Sequence, residues 1–572
     1  MTGMIQDMRK AGKWLIRIAV TGILFLLFSG SAFAITERRM EVGCPSACGT
    51  KVAARWKNEL MTISLPGVWD LTAVTLEMAG EESLLLGEEQ IPVKPGEPLD
   101  LTGLLGQKLI VRNGNGAGRG YLMILQGSRI PALFLEVDAK MLSKVNQSKD
   151  NEITEGRAVY EEADGSVTYD GALQQLKCRG NNTFLYSKKP YQFKLAEKTS
   201  LSGMGRGKTW VLLANWNDVS QLRNRIVMDL SREAGLRNAV GCVETDVWIN
   251  GVYNGLYLMT EKIQIGKERI DITNLEKATE KVNPEPFNAG PIHAEKTGNL
   301  PLMRYYPQVA DPEDITGGYI FTIEKYARFR DFKEPGFRTK NELSIRIKEP
   351  TCPSRAQAVY LGTRMTELQT AVMTDNGINP MTGKSYEEYL DVTSFAQKLL
   401  IEDFSKNYDM AGGSQYLYKD SDSVDPLVYA GPSWDYDLGF GNMRDRGVTP
   451  DTAYVTDYKR NSNLYWLLYN HASFRELTGL IWQRDFKPAV EVLLGQREAK
   501  PDGIICSLDE YKARISDSVA MNYKRWPVSS NATQASAGGS FDNAVEYLRK
   551  WITQRAKWMN EKYTTEKVTD EE

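Results

Sequence analysis

Asp435 and Asp437 have the residue type and the spacing of a divalent-metal site. One residue separates them, so in an extended backbone both carboxylates would project to the same side. Carboxylate oxygens suit magnesium, which keeps several waters and takes other ligands from phosphate. An isolated Asp-x-Asp pair is more often a solvated turn. Here the apolar neighbours Trp434 and Tyr436 would partly bury the acids, which favours a bound cation.

A third acid, Asp409, precedes Asp435 by 26 residues. Two short β-like runs at 415–418 and 426–430 lie between them and predict a hairpin. This spacing is typical of phosphoryl-transfer sites, in which one Asp positions or deprotonates the acceptor hydroxyl and another holds the metal. Asp409 is the candidate for the first role. The alternative is a loop residue that makes local hydrogen bonds after a helix.

Helices on either side must position these acids. Apolar residues at helical spacing follow Asp391, which predicts a helix that is capped by Asp391 and runs into the loop of Asp409. A capping box at 218–221 and the spacing after it predict a helix over 219–234. Beyond residue 455 the pattern is mainly helical, and the last helix is predicted at about 541–563.

Strands are predicted on the amino-terminal side of the acids. Residues 130–137 are predicted to open the main domain with a strand. Tyr191 and Phe193 alternate with polar residues, which predicts a half-buried strand with Lys194 facing away from the apolar side. Asn250-Gly251 lies between two apolar runs and predicts a tight hairpin turn.

Phosphate binding would need a cation and backbone donors. Arg179-Gly180-Asn181-Asn182-Thr183 precedes Lys188-Lys189-Pro190, and a glycine with polar neighbours can form an anion nest. The segment is neither a Walker loop nor a Gly-x-Gly-x-x-Gly loop. The glycine-rich stretch 203–208 is predicted to form an exposed turn rather than a nucleotide contact.

The amino-acid composition argues against several classes of function. A chain of 572 residues exceeds one ordinary core, so two or more packed units are expected. The 70 basic and 73 acidic side chains nearly cancel in charge, so no positive electrostatic field attracts the phosphate backbone. This balance argues against nucleic acid as a partner. His293 and His471 are the only histidines, which excludes His-rich zinc hydrolases. Cys44 and Cys48 predict a local disulfide or two thiols rather than a zinc site.

Residues 1–34 have the pattern of a secretory signal peptide. Basic residues precede a short apolar run, and Ala32-Phe33-Ala34 has the form of a cleavage site. The alternative is an uncleaved anchor, although the run is shorter than the ~20 residues that span a bilayer. We therefore expect a secreted or cell-surface protein that touches the membrane only through this segment.

Several blocks of the chain together resemble the spore coat CotH kinase-like family. The resemblance runs from about 130 to 560 in one order and does not cover a β-rich region at 55–128. The matching stretches are Arg179-Gly180-Asn181-Asn182-Thr183, Lys188-Lys189-Pro190-Tyr191, Trp210-Val211-Leu212-Leu213-Ala214-Asn215, Leu222-Arg223-Asn224, Ile249-Asn250-Gly251-Val252-Tyr253-Asn254-Gly255-Leu256-Tyr257-Leu258, Thr260-Glu261-Lys262, Gly317-Gly318-Tyr319-Ile320, Lys406-Asn407-Tyr408-Asp409 and Trp434-Asp435-Tyr436-Asp437.

The resemblance implies a two-lobed atypical protein-kinase-like domain. Before it, short apolar runs alternate with turn residues over 55–128 and predict a small β-rich domain, so the expected class is α+β. The expected divisions are a signal peptide at 1–34, a β-rich accessory domain at 35–128, the kinase-like domain at 129–563 and an acidic tail at 564–572. It also implies transfer of phosphate from ATP, with Mg²⁺, to Ser or Thr of a coat, surface or extracellular protein. Association with the spore coat is part of the same expectation.

Individual roles are carried over by motif. Asp409 matches the catalytic-loop acid, and Asp435 with Asp437 matches the metal-binding turn. The nucleotide-binding candidates, as phosphate contacts and a lysine partner, are Arg179, Lys189, Arg223 and Glu261. A standard kinase has Asn five residues after its catalytic Asp, whereas Ser414 occupies that position here and puts a second metal in doubt.

Two other functions stay open at this point. A cell-surface or spore-associated binding or assembly protein can retain a kinase-like scaffold without catalysis. A glycoside hydrolase would need two acids roughly 5–9.5 Å apart across an open groove, and the flanking motifs do not support one.

Overall fold

The computed structural model describes residues 40–44, 49–57, 60–79, 83–114, 120–283, 285, 295–297, 300–303, 309–325, 335–407, 410, 413–442, 448–528 and 539–564. The predicted signal peptide, Cys48 and Asp409 lie outside them. The described residues divide into two compact units. The first unit comprises the described residues up to Lys177, together with those of Glu244–Leu256 and Ile515–Trp526. The second unit comprises the described residues of Cys178–Val243, Tyr257–Arg514 and Pro527–Glu572.

The first unit begins with two β-sheets, which confirms the β-rich region predicted at 55–128. A four-stranded sheet has the order β2-β1-β5-β8, and a six-stranded sheet has the order β3-β4-β10-β9-β6-β7. The strands are β1 Met40–Gly43, β2 Lys51–Ala53, β3 Arg55–Lys57, β4 Leu60–Leu65, β5 Val74–Met78, β6 Leu84–Leu86, β7 Ile91–Val93, β8 Pro98–Leu99, β9 Lys108–Asn113 and β10 Gly120–Gln126.

Further strands of the first unit follow. They are β11 Ala132–Glu136, β12 Gly156–Glu161, β13 Val167–Cys178, β16 Cys242–Ile249 and the start of β17 Val252–Glu261. Strand β12 pairs antiparallel with β11 and β13, and β16 pairs parallel with β11. Strand β11 confirms the one predicted at 130–137. Asn250 and Gly251 both have positive φ between β16 and β17, which confirms the predicted tight turn.

One apolar core joins all these strands of the first unit. Its aromatic centre is Phe134, which stacks on Trp248 at 5.0 Å and on Trp69 at 6.2 Å between ring centroids. Each indole nitrogen donates a hydrogen bond: Trp69 to Glu161 Oε2 at 3.1 Å, and Trp248 to the carbonyl of Ser64 at 2.9 Å. Burying an indole therefore leaves no donor unpaired.

The second unit contains two groups of strands. Strand β14 Tyr191–Thr199 pairs with β15 Gly207–Leu213, which pairs with the end of β17. Tyr191 and Phe193 are buried and Lys194 is exposed, as predicted. A seven-stranded sheet has the order β18-β19-β21-β22-β20-β23-β24. Its strands are β18 Glu295–Thr297, β19 Leu300–Met303, β20 Tyr319–Ile323, β21 Gly336–Arg338, β22 Ser344–Glu349, β23 Gln415–Lys419 and β24 Val428–Ala430.

Ten α-helices lie in the described part of the chain. They are α1 Ala139–Gln147, α2 Arg223–Glu233, α3 Leu275–Val282, α4 Arg355–Met373, α5 Val392–Ser405, α6 Leu464–Tyr469, α7 Ala472–Ile481, α8 Lys487–Leu493, α9 Leu508–Arg525 and α10 Phe541–Lys562. Asp391 caps α5 as predicted, since its carboxylate accepts a hydrogen bond from the backbone N–H of Ser394 at 2.7 Å. Helix α10 and the antiparallel β23–β24 pair also confirm their predictions.

The helix predicted over 219–234 begins later, at Arg223. Leu222 is the residue before its first turn, and Asp218 does not form the predicted capping box. Its carboxylate instead accepts from the backbone N–H groups of Ser220 and Arg223, which holds residues 218–222 as a turn before the helix.

The molecule is an α+β protein with an N-terminal β-rich region, as the sequence predicts. Among the described helices, none combines the length and the apolar character needed to cross a bilayer.

Candidate functional site

The acidic turn, residues 434–442, begins after the three residues that follow β24. Asp435 has a φ of +72°, in the left-handed region, and no strand includes it. The expectation of an extended segment with both carboxylates on one side is therefore wrong at this residue. Asn407 Nδ2 donates to the Asp435 carbonyl at 2.9 Å, and this bond helps to hold the unusual backbone conformation.

Helix α5 anchors the turn through Tyr436, whose side chain is fully buried. Lys398 Nζ donates to the Tyr436 hydroxyl at 2.6 Å, and that hydroxyl donates to Glu402. Lys398 also forms a buried ion pair with Glu402, and Gln415 Nε2 donates to the same carboxylate at 3.1 Å. Burial lowers the pKa of Lys398 and raises the pKa of Tyr436. Because buried charges need partners, this network specifies one position for the turn.

Helix α2 holds the turn from its other end. Arg223, fully buried, pairs with Asp218 and donates through Nε to the Gly439 carbonyl at 3.0 Å. The next residue, Asn224, accepts through Oδ1 from the backbone N–H of Tyr436 at 2.7 Å. The geometry gives Arg223 a positioning role behind the acidic turn.

Each of the two acids has a hydrogen-bond donor on its carboxylate. Ser414 Oγ donates to Asp435 Oδ2 at 3.2 Å, and Asn217 Nδ2 donates to Asp437 Oδ2 at 3.0 Å. Asn442 Nδ2 donates to the Asp437 carbonyl at 2.7 Å.

A cleft of about 230 Å³ lies beside the turn and is lined by Arg179, Lys262, Lys348, Tyr416 and Trp434, among others. The Arg179 guanidinium packs over the Trp434 ring at 5.0 Å from its centroid. Burial lowers the pKa of Arg179, and the nearby Asp435 carboxylate opposes that shift. Arg179 and Asp435 are thus brought together, and cations dominate the cleft.

Two lysines of the cleft are not among the residues predicted from the sequence to bind nucleotide. Lys262 directly follows Glu261, the residue chosen from the same motif, and Lys348 lies in β22 outside every motif. Their neighbour Glu349 also lines the cleft. Burial, and after it Glu276, raises the pKa of Glu349 to about 7. No signal in a single sequence links β22 to residues so distant along the chain.

Two of the predicted nucleotide contacts have other partners. Lys189 Nζ donates to the Phe184 carbonyl at 2.6 Å and packs over the Phe184 ring. Glu261 pairs with Arg269 at 2.8 Å, so its partner is an arginine rather than the expected lysine.

The glycine-rich stretch 203–208 surrounds the same arginine. Arg269 Nη1 donates to the Gly205 carbonyl at 2.8 Å. A Cβ added at Gly207 would lie 2.2 Å from Arg269 Nη2, so a larger residue here would displace the guanidinium. The stretch therefore supports the Glu261–Arg269 ion pair.

The donors present fit a magnesium ion that shares its coordination with phosphate. Among the residues that the structure describes, no group of three or more His, Cys, Asp or Glu side chains could hold a metal. Asp435 and Asp437 are a pair of hard oxygen donors next to a cationic cleft. Magnesium in phosphoryl-transfer sites is commonly bound by one or two carboxylates, with waters and substrate phosphate as its other ligands.

Comparison with known proteins identifies one family. The family described as CotH kinase protein matches residues 176–559, which is more than half of the chain. No curated protein matches. The matched range contains the acidic turn, both anchoring helices and the cleft. The chain therefore belongs to the CotH kinase protein family.

Proposed function

We propose that this protein is an exported, two-lobed atypical kinase that transfers the γ-phosphate of ATP to Ser or Thr hydroxyls of a protein. The observation that carries the proposal is the position of Asp435 beside Arg179, at a cleft whose lining includes Lys262 and Lys348. Clustered cations suit a polyphosphate, and adjacent carboxylates suit its metal. The family's association with spore coats makes a coat or surface protein the preferred acceptor.

Asp435 and Asp437 would hold the magnesium ion, which neutralises charge on the transferring phosphoryl group when it is bound. Arg179, Lys262 and Lys348 would bind the phosphates, and Trp434 supplies an aromatic wall to the cleft. Asp409 is the proposed acceptor of the hydroxyl proton. Lys189 stays a proposed nucleotide contact. Arg223 would act through its buried ion pair with Asp218, and Glu261 through its partly buried ion pair with Arg269.

The first test is magnesium-dependent ATP binding by the full chain, measured by calorimetry and followed by phosphate transfer to a protein acceptor. Asp435→Asn removes the negative charge of this carboxylate from the metal site and should lower the transfer rate roughly 1000-fold, or about 4 kcal/mol. The matched control is Asp375→Asn, at an exposed position after α4, which should behave as the parent. A parent chain that is folded but binds no Mg-ATP would refute the proposal.

The second candidate is a binding or assembly protein without catalysis. Ser414 favours it, because a standard kinase has a metal-binding Asn at this position. Such a protein would bind its coat or surface partner with equal affinity with and without Mg-ATP, and Asp435→Asn would not change that affinity. The same variant therefore separates the two functions.

A further inference from the structure

Of the two polar side-chain atoms of Asn217, one has a hydrogen-bond partner and the other has none. It lies in the loop before α2 and is only 8% exposed. Its Nδ2 donates to Asp437 Oδ2 at 3.0 Å. Because an ionised carboxylate only accepts hydrogen bonds, the nitrogen must be the atom that faces Asp437. The amide oxygen is then the other atom, and it has no hydrogen-bond partner.

The backbone around Asn217 holds this side chain in place. Asn442 Nδ2 donates both to the Asn217 carbonyl and to the Asp437 carbonyl, each at 2.7 Å. The side-chain amide of Asn442 therefore joins the loop that contains Asn217 to the acidic turn. A buried oxygen without a donor is rare in folded proteins and calls for an explanation. A site that binds a cation supplies one, since a metal ion satisfies an oxygen that no donor reaches.

We propose that the amide oxygen of Asn217 is a ligand of the divalent cation bound by Asp437. This inference rests on the proposed function and adds a protein ligand to its metal site. Amide oxygens are hard donors that suit magnesium and manganese.

An amide ligand from Asn217 would also compensate for the serine at position 414. Standard kinases place a metal-binding Asn on the catalytic loop. Here the Ser414 hydroxyl donates to Asp435 Oδ2, so it acts on the carboxylate as a hydrogen-bond donor. Asn217 supplies an amide oxygen from a different element, the loop before α2.

The test is a titration of the full chain with Mn²⁺, with and without ATP, in which free Mn²⁺ is measured by electron paramagnetic resonance. Asn217→Ala should weaken Mn²⁺ binding by at least about 10-fold, the loss that removal of even an outer-shell partner of a metal ligand causes. Asn217→Asp restores an oxygen at the site but not the amide donor. It should retain Mn²⁺ binding, and Mn²⁺ should raise its melting temperature more than that of the parent, because the metal relieves repulsion from Asp437.

The control is Asn463→Ala, at a buried asparagine whose amide donates to the Val455 and Tyr458 carbonyls. It should lower the melting temperature without changing Mn²⁺ affinity. Unchanged Mn²⁺ affinity in Asn217→Ala would overturn the inference and leave the proposed function intact. Equal losses in Asn217→Ala and Asn217→Asp would also overturn it, since the residue would then act only through its donor. A parent that binds no Mn²⁺ with ATP would instead refute the proposed function.

Discussion

The partners of each carboxylate differ between the acidic turn and the core of the first unit. Asp435 and Asp437 each accept a hydrogen bond from a neutral donor, Ser414 and Asn217, and so remain suited to a cation. Glu161 in the first unit has the opposite environment. It is 2% exposed, accepts one bond from Trp69, and has a second oxygen without a partner. Burial raises its pKa from the ordinary 4.5 to about 7.

This shift predicts how Glu161 affects stability with pH. Below pH 4.5 the carboxyl is protonated in both the folded and the unfolded state, so it has no effect. Between about 4.5 and 7 the unfolded chain loses the proton and the folded chain keeps it, so stability falls as pH rises. Glu161→Gln should remove this loss, which is about 3 kcal/mol by pH 8.

Thermal unfolding at pH 4 and pH 8 would check the Glu161 prediction. The melting temperatures of Glu161→Gln and the parent should agree at pH 4 and separate at pH 8, with the variant higher. Glu155→Gln, at an exposed position in the same unit, should match the parent at both values. A constant difference between Glu161→Gln and the parent would show that the residue does not titrate in this range.

At the scale of elements, α5 connects the acidic turn to the C-terminal helix. Lys398 and Glu402 face the turn through Tyr436, and Asp403 faces α10. Lys562 Nζ and the Tyr563 hydroxyl donate to Asp403 Oδ2 at 3.0 and 2.8 Å. Burial alone would raise the pKa of Asp403, but these partners and Arg555 hold it below its ordinary value.

Asp403→Ala should therefore destabilise the second unit strongly. Removing the carboxylate leaves Arg555 buried without its counter-charge, and such losses cost about 3–5 kcal/mol. Urea unfolding measures the change. Asp509→Ala is the control, because Asp509 also pairs with an arginine of α10, Arg549, but its side chain is 76% exposed. Equal effects of the two substitutions would contradict the role assigned to the buried pair.

At the scale of the whole molecule, the residues proposed for chemistry lie in one of the two units. The residues proposed for the metal and the nucleotide that the structure describes all belong to the second unit. The β-rich region belongs to the first unit, where it shares one core with Phe134 and Trp248. These two aromatic residues lie after residue 128, the predicted end of the accessory domain, so that boundary runs through a continuous core.

A chain that begins at residue 129 should therefore be unstable. It would expose Phe134 and Trp248, which are 4% and 0% exposed in the full chain, and would leave the Trp248 indole without its Ser64 acceptor. Size-exclusion chromatography should show aggregation or low yield, while the chain from residue 35 should elute as a folded species. If the shorter chain were monomeric with an unchanged melting temperature, residues 35–128 would be an independent domain.

Local patterns in the sequence determined the strands around Tyr191, the Asn250-Gly251 turn, the helix capped by Asp391 and the α+β class, because period, capping and turn chemistry act over a few residues. They also selected Asp435 and Asp437. Only the tertiary structure decided the positive φ of Asp435, the positioning role of Arg223, and the meeting of Lys262 and Lys348 in one cleft. These features depend on contacts between residues far apart along the chain. Such pairings follow from the packing of the whole unit, which no local pattern encodes.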